Sequence, residues 1–219
     1  VLLNYEVMGV SMSLLGDRPD YWEIAKKELS DNDIILSRII NKFDDLELIS
    51  RGDIFFTLIR SIIGQQISVK AASTVWSRFT NKVGEITPKN ILSIDFEDLR
   101  SCGLSQKKTE YVIGISESWN EYSSFNWSEM DDEEVVGKLI KLRGVGKWTA
   151  EMILIFTLLR PDVFPIGDIG MIRGIEKTYN SGVKMSIDEL YTLSEKWKPW
   201  RTVACCYMWR TVDPEPVEY

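Results

Sequence analysis

Apolar residues recur every three to four positions along most of the chain, a spacing typical of amphipathic helices. The pattern covers residues 21–43, 54–63, 69–79, 135–142, 148–159 and 190–209. No segment of comparable length shows the period of two that is expected of a half-buried strand. The pattern therefore predicts an all-α protein.

Polar residues placed just before these segments predict where several helices begin. Asp20, Asp53 and Ser68 are candidate N-caps, and Thr87-Pro88 opens another short helix. The short connections between the predicted helices favour antiparallel packing of neighbours.

Composition narrows the classes of function. The chain has 219 residues, 44% of them hydrophobic, which is enough for a substantial core. It has no histidine, so any catalysis depends on carboxylate, Lys, Tyr, Ser or Thr side chains. We interpret Cys102, Cys205 and Cys206 as buried free thiols without a metal or redox role. The net charge of −7 argues weakly against a nucleic-acid partner, although a local basic face is compatible with it.

The chain shows no signal for a membrane or for secretion. Its N-terminus lacks a basic segment, and the apolar run 152–159 is much shorter than the roughly 20 residues that span a bilayer. We expect a cytoplasmic monomer that does not associate with membranes.

The stretch "LRGVGKWTAE", residues 142–151, predicts a helix-hairpin-helix. Gly144 and Gly146 permit a tight turn, so the amides of Val145 to Lys147 can point outward together and bind an anion such as a DNA phosphate. Basic side chains surround this turn: Lys138, Lys141, Arg143 and Lys147. The alternative is an ordinary helix connection with solvated lysines.

Four motifs in order make the chain similar to one family. "FFTLIRSIIGQQISVKAA", "GLSQKKTEYVIGIS", "LRGVGKWTAEM" with "FPIGDIGMIRG", and "WKPWRTVACCYMWR" resemble the alkylpurine branch of the helix-hairpin-helix DNA glycosylases, the 3-methyladenine DNA glycosylase II type. The resemblance implies two helical subdomains with a cleft between them. We assign residues 19–52 plus 161–219 to one, 53–160 to the other, and 1–18 to an N-terminal extension.

The resemblance implies that Asp168 is the catalytic carboxylate. The alternative, that it only caps the following helix, is compatible with that role. The implied reaction is hydrolysis of the N-glycosidic bond of alkylated purines in duplex DNA. The carboxylate stabilises positive charge on the sugar and orients water.

Base recognition is assigned in the same way. Trp148 and Trp209 correspond to aromatic walls of the pocket that receives the flipped base, although burial in the core is the alternative for each. Met152 stands where the branch's familiar bacterial member has a further tyrosine. Residues 64–68, "GQQIS", correspond to the loop that enters the DNA, here named the wedge loop. Either Gln65 or Gln66 is the wedge, or both satisfy backbone groups at a helix break.

Two departures refine the expected activity. Trp148 occupies the position at which strand-cutting relatives have a lysine nucleophile, and Lys147 points down another helix face, so we expect no strand cleavage. Three cysteines are too few for the iron–sulfur branch. We expect no cofactor, apart from a monovalent cation at the hairpin's phosphate site. The alternatives are a non-catalytic DNA-binding module or a glycosylase for another damaged base.

Overall fold

The structure is a computed structural model that describes residues 16–212. Residues 1–15 of the predicted N-terminal extension and residues 213–219 of the predicted terminal subdomain lie outside the described residues. The described residues form twelve α-helices and no β-strand, which confirms the all-α prediction. None of these helices is both long and apolar enough to cross a membrane. The helices are α1 (Trp22–Asn32), α2 (Ile34–Lys42), α3 (Ile54–Gly64), α4 (Val69–Val83), α5 (Pro88–Leu92), α6 (Phe96–Ser101), α7 (Gln106–Tyr122), α8 (Asp132–Leu139), α9 (Lys147–Phe156), α10 (Ile169–Tyr179), α11 (Ile187–Glu195) and α12 (Arg201–Val212).

The described chain divides into two compact units. The central unit comprises Arg51–Ile153 and contains α3 to α8 and most of α9. The terminal unit comprises Gly16–Ser50 and residues 154–212, and it contains α1, α2 and α10 to α12. One boundary between the units falls within α9.

Three of the four predicted helix starts are confirmed. The side chains of Asp53, Ser68 and Thr87 accept hydrogen bonds from first-turn backbone N–H groups of α3, α4 and α5. The prediction for Asp20 is wrong, because Tyr21 is the N-cap residue of α1 and makes no side-chain cap bond. Local capping chemistry therefore predicts helix starts well where a short polar side chain directly precedes the helix.

Two predicted helices are each divided in two. The segment 21–43 breaks at Asp33, whose Oδ1 accepts the N–H groups of Ile35 and Leu36 and so starts α2. The segment 190–209 breaks between α11 and α12, where Pro199 cannot continue a helix. Periodicity misses these breaks because the apolar face continues on the second helix. The periodic segments also leave out α5, α6, α7 and α10.

The central unit has an apolar core around α3. Leu58, Ile59 and Ile62 of this helix have no exposed surface. The helix packs against α4 and α7, which contributes the fully buried Val112. This packing places the C-terminus of α3, and the wedge loop that follows it, beside the first turn of α7.

The terminal unit is built around the contact between α10 and α12. A Cβ atom at Gly174 of α10 would lie 2.2 Å from the Met208 carbonyl oxygen of α12, so only glycine permits this close approach. Most of α12 is buried, including Cys205 and Cys206. These two residues and Cys102 are free thiols in the core, as predicted.

Candidate functional site

Asp168 is the N-cap residue of α10. Its Oδ1 accepts a hydrogen bond from the Met171 backbone N–H at 2.7 Å, and its own N–H donates to the Pro165 carbonyl at 2.8 Å. The residue is buried, with 5% of its surface exposed. The partial positive charge of the helix N-terminus favours a carboxylate here. The capping interpretation is confirmed, while the catalytic role stays a prediction.

A second hydrogen bond to the same oxygen comes from α12. The Trp209 Nε1–H donates to Asp168 Oδ1 at 2.8 Å. The Trp209 ring stacks on Phe156, with ring centroids 5.7 Å apart, and only 7% of the residue is exposed. Trp209 was predicted as a wall of the base pocket, but the structure commits its N–H to the carboxylate. Its base-stacking role stays a prediction.

Gly170 keeps space beside this pair. A Cβ atom at residue 170 would lie 3.2 Å from Asp168 Oδ1 and 3.5 Å from Trp209 Cδ1. The separation from Asp168 Oδ1 is shorter than an ordinary van der Waals contact, so a larger residue would press on the hydrogen-bonded carboxylate. Together the cap bond, the indole N–H and this glycine fix the orientation of a buried carboxylate.

The predicted helix-hairpin-helix is formed by α8, the turn at residues 140–146 and α9. Gly144 adopts φ +94°, and a Cβ atom there would lie 2.4 Å from the Tyr111 ring. One detail of the predicted anion site is wrong. The Val145 N–H donates to the Leu142 carbonyl at 3.0 Å, and Val145 is buried. An anion at this turn would therefore need donors from the first turn of α9.

Part of the predicted basic cluster around the turn has partners within the protein. Arg143 Nη2 lies 3.4 Å from Glu110 Oε2, and the guanidinium lies 5.6 Å from the Tyr111 ring centroid. Lys138 Nζ lies 4.0 Å from the Phe125 ring centroid. Lys147 remains 69% exposed, although its Nζ is 3.7 Å from Glu151 Oε1. The Arg143 and Lys147 side chains are themselves largely exposed, so these two cations can still turn toward an external phosphate.

Trp148 lines a cavity of about 520 Å³ in the central unit, together with Gly146, Gln65 and Gln66. Its other walls include Arg60 and Trp76, with the Arg60 guanidinium 5.5 Å from the Trp76 ring centroid. The structure thus brings four predicted residues to one concave surface. The sequence analysis does not identify Arg60 and Trp76, although Arg60 lies within the motif at residues 55–72 and Trp76 lies four residues after it.

The wedge loop distinguishes its two glutamines. Gln65 turns inward, and its Nε2 donates to the Gly144 carbonyl at 3.1 Å. Gln66 is exposed and has φ +58°, a left-handed conformation that is uncommon outside glycine. The interpretation that a glutamine satisfies a backbone group is confirmed for Gln65. The Gly144 carbonyl is thus already engaged, and the monovalent cation predicted near the turn stays a prediction.

Met152 lies in the core. Only 1% of its surface is exposed, within the buried face of α9. In this conformation it offers a base almost no surface, so its place in the base pocket stays a prediction that needs a local rearrangement.

Lys108 is the other residue that sequence reasoning missed. Its Nζ donates to the carbonyls of Ile63 at 2.7 Å and Gln65 at 2.6 Å, directly under the wedge loop. The signal available was a lysine in the first turn of a helix, where the dipole disfavours a cation and a tertiary partner is expected.

Most of the chain is similar to known DNA repair proteins. Residues 59–200 match the family model described as the HhH-GPD superfamily base excision DNA repair protein. The DNA-3-methyladenine glycosylase of Bacillus subtilis is 31% identical over 210 residues, covering 90% of this chain and 68% of the relative. The chain spans about two thirds of the length of the Bacillus subtilis relatives it matches.

Two solved structures have the same fold over most of the chain. The DNA-3-methyladenine glycosidase of Bacillus halodurans has a TM-score of 0.75 and 31% identity, covering 90% of this chain and 91% of that one. The Schizosaccharomyces pombe 3-methyladenine DNA glycosylase in complex with abasic DNA has a TM-score of 0.73 and 28% identity. It covers 85% of this chain and 95% of that one.

Proposed function

Since this chain belongs to the HhH-GPD superfamily of base excision DNA repair proteins, we propose that it is a monofunctional DNA N-glycosylase for alkylated purines. The substrates are bases of the 3-methyladenine and 7-methylguanine type in duplex DNA. The Bacillus subtilis relative supports the substrate class, and the abasic-DNA complex of the fission yeast enzyme supports DNA as the partner. The observation that carries the proposal is the buried Asp168, whose Oδ1 accepts hydrogen bonds from the Met171 N–H and the Trp209 indole N–H.

The proposed chemistry uses Asp168 as a fixed negative charge. Cleavage of the N-glycosidic bond develops positive charge on the deoxyribose, and a preoriented carboxylate in a water-poor site stabilises that charge strongly. The same carboxylate orients the water that attacks the sugar. An N-alkylated purine already carries a positive charge and leaves as a neutral base, so the reaction requires no strong general acid.

Recognition of the base is assigned to aromatic surface. The target nucleotide must leave the duplex before its glycosidic bond is accessible. A cationic purine gains a cation–π interaction on an indole ring, in addition to stacking. Trp148, on the cavity in the central unit, is the residue best supported for this role.

The absence of strand cleavage is part of the proposal. A bifunctional enzyme needs an amine that attacks the sugar to form a Schiff base. In this chain Trp148, in the first turn of α9, occupies the position at which strand-cutting relatives have that amine. The neighbouring Lys147 extends toward Glu151. We expect neither strand scission nor a borohydride-trapped adduct.

The test is release of methylated bases from alkylated duplex DNA by wild type and by Asp168→Asn. Asparagine caps helices about as well as aspartate, so this change removes the charge and keeps the cap. We expect excision to fall by about 100-fold or more, the size typical of losing one preorganised electrostatic group.

Asp131→Asn is the matched control, because Asp131 caps α8 with the same geometry on the protein surface. It should excise at the wild-type rate. If wild type releases neither 3-methyladenine nor 7-methylguanine but still binds DNA, the chain is a non-catalytic DNA-binding module. If it releases a different base, the substrate class is wrong.

A further inference from the structure

Lys108 is a cation that the proposed reaction leaves without a role. It lies in the first turn of α7, where its backbone N–H donates to the Ser105 cap. Its side chain crosses to the end of α3 and donates to the carbonyls of Ile63 and Gln65 at 2.7 and 2.6 Å. Both are short, charge-assisted bonds to backbone groups at the base of the wedge loop.

The charge of Lys108 interacts unfavourably with the N-terminus of its own helix, α7, and favourably with the C-terminus of α3. A helix N-terminus disfavours a cation, whereas the carbonyls at a helix C-terminus lack partners and attract one. Burial lowers the pKa of the Lys108 ammonium from the ordinary lysine value. Among residues 16–212, the ion pairs do not include Lys108, so its charge serves the two carbonyls.

The wedge loop is held on its other side by the hairpin. Gln65 Nε2 donates to the Gly144 carbonyl at 3.1 Å. On the same helix as Lys108, Tyr111 packs against Gly144 and Glu110 pairs with Arg143. Helix α7 therefore contacts both the wedge loop and the hairpin turn, and the intervening Gln66 is left exposed at φ +58°.

We propose that Lys108 is a positioning residue that locks the wedge loop in the conformation that presents Gln66 to the DNA duplex. This inference rests on the proposed function, because a wedge is needed only where a base is extruded. The ammonium satisfies two carbonyls that would otherwise bind water, and it thereby holds Gln66 in an unfavourable backbone conformation. Gln66 can then fill the stack from which the damaged nucleotide has left.

The mechanism separates two kinds of DNA binding. Undamaged DNA is held by phosphate contacts, which do not require an ordered wedge. A duplex whose base is missing or extruded requires the wedge in place. Loss of the Lys108 bonds should therefore weaken binding to an abasic site and leave binding to undamaged DNA unchanged.

The experiment compares wild type, Lys108→Met, Lys108→Arg and Lys107→Met. Lys107 is the exposed neighbour on the same helix, so Lys107→Met removes the same charge without touching the loop. Each protein is titrated against an undamaged duplex and against a duplex with a tetrahydrofuran abasic analogue. Single-turnover excision from alkylated duplex is measured alongside.

We expect Lys108→Met to bind the tetrahydrofuran duplex roughly tenfold more weakly and to excise roughly tenfold more slowly, with undamaged-DNA affinity within about twofold of wild type. Lys108→Arg should recover most of both losses, and Lys107→Met should match wild type on the abasic duplex. If Lys108→Met fails to fold, Lys108→Gln, which keeps a neutral amide donor but loses the charge, should show the same selective loss.

Equal losses on both duplexes, or none on the abasic duplex, would overturn the role of Lys108. A wild type that discriminates the abasic duplex but excises nothing would instead refute the proposed function. In that case the tetrahydrofuran titrations still decide the role of Lys108, because they require no catalysis.

Discussion

Helices α9 and α10 follow similar glycine-containing turns, "GVGKW" and "GDIGM", yet they use their N-termini differently. In α10 the residue before the helix is Asp168, whose carboxylate accepts the Met171 N–H and is buried. In α9 the residue before the helix is Gly146, which has no side chain to serve as a cap. A helix N-terminus attracts an anion in either case. This contrast is the basis of our proposal that α10 carries its own anion for chemistry, whereas α9 leaves its N-terminus open to a DNA phosphate.

The largest effect is expected from a substitution that removes a hydrogen bond to the Asp168 carboxylate. Trp209→Phe keeps an aromatic ring that can stack on Phe156 and on a flipped base. It removes the N–H that donates to Asp168 Oδ1. Hydrogen bonds to charged groups contribute about 1.5–3 kcal/mol, so we expect single-turnover excision to fall by roughly 10- to 100-fold.

Trp200→Phe is the control for the tryptophan substitution, because Trp200 Nε1 donates to Glu28 at 2.6 Å on the surface. It should excise normally. Excision by Trp209→Phe within twofold of wild type would show that the indole N–H does not orient the carboxylate.

The second effect is a loss of stability when the turn that leads into α9 is altered. Gly144→Ala places a methyl group against the Tyr111 ring in a left-handed backbone conformation. We expect the free energy of unfolding to fall by about 1–3 kcal/mol in urea denaturation. Gly137→Ala, at an open position within α8, should instead raise it by about 0.5–1 kcal/mol. Equal responses at the two glycines would contradict the described turn.

The smallest effect is expected from a substitution that gives α9 a carboxylate of its own. Nothing lies within 4 Å of a Cβ atom at Gly146, so Gly146→Asp fits and can cap the helix as Asp168 caps α10. The new carboxylate would repel a DNA phosphate at this N-terminus. We expect undamaged-DNA affinity to fall about tenfold at low salt. The neutral cap Gly146→Asn should lose less than half as much DNA-binding free energy as Gly146→Asp. Equal losses in the two variants would show that charge is irrelevant at this position.

Local chemistry predicted much of the fold and part of the site. The caps at Asp53, Ser68 and Thr87 were predictable because each side chain bonds a backbone group within three residues. The break at Asp33 was not, although Asp33 also caps α2 locally. Its Oδ2 accepts the Tyr179 hydroxyl at 2.7 Å, a partner 146 residues away that no periodicity reports.

The same limit applies to the candidate site. Asp168 and its helix were found from a short motif, and Trp148 from the hairpin beside it. The bond from Trp209 joins residues 41 positions apart, and Lys108 reaches carbonyls more than 40 positions away. Such contacts depend on how helices pack, which the pattern of apolar residues leaves open.

The most direct test of the two N-termini measures binding and chemistry separately in Asp168→Asn and Gly146→Asp. Kd for a duplex and single-turnover excision at saturating enzyme are determined for each. The comparison predicts that Asp168→Asn binds DNA as well as wild type and excises about 100-fold more slowly. It predicts that Gly146→Asp binds about tenfold more weakly and, once saturated, excises at close to the wild-type rate. If either variant loses both DNA affinity and excision rate, then DNA binding and catalysis are not assigned to separate helix N-termini.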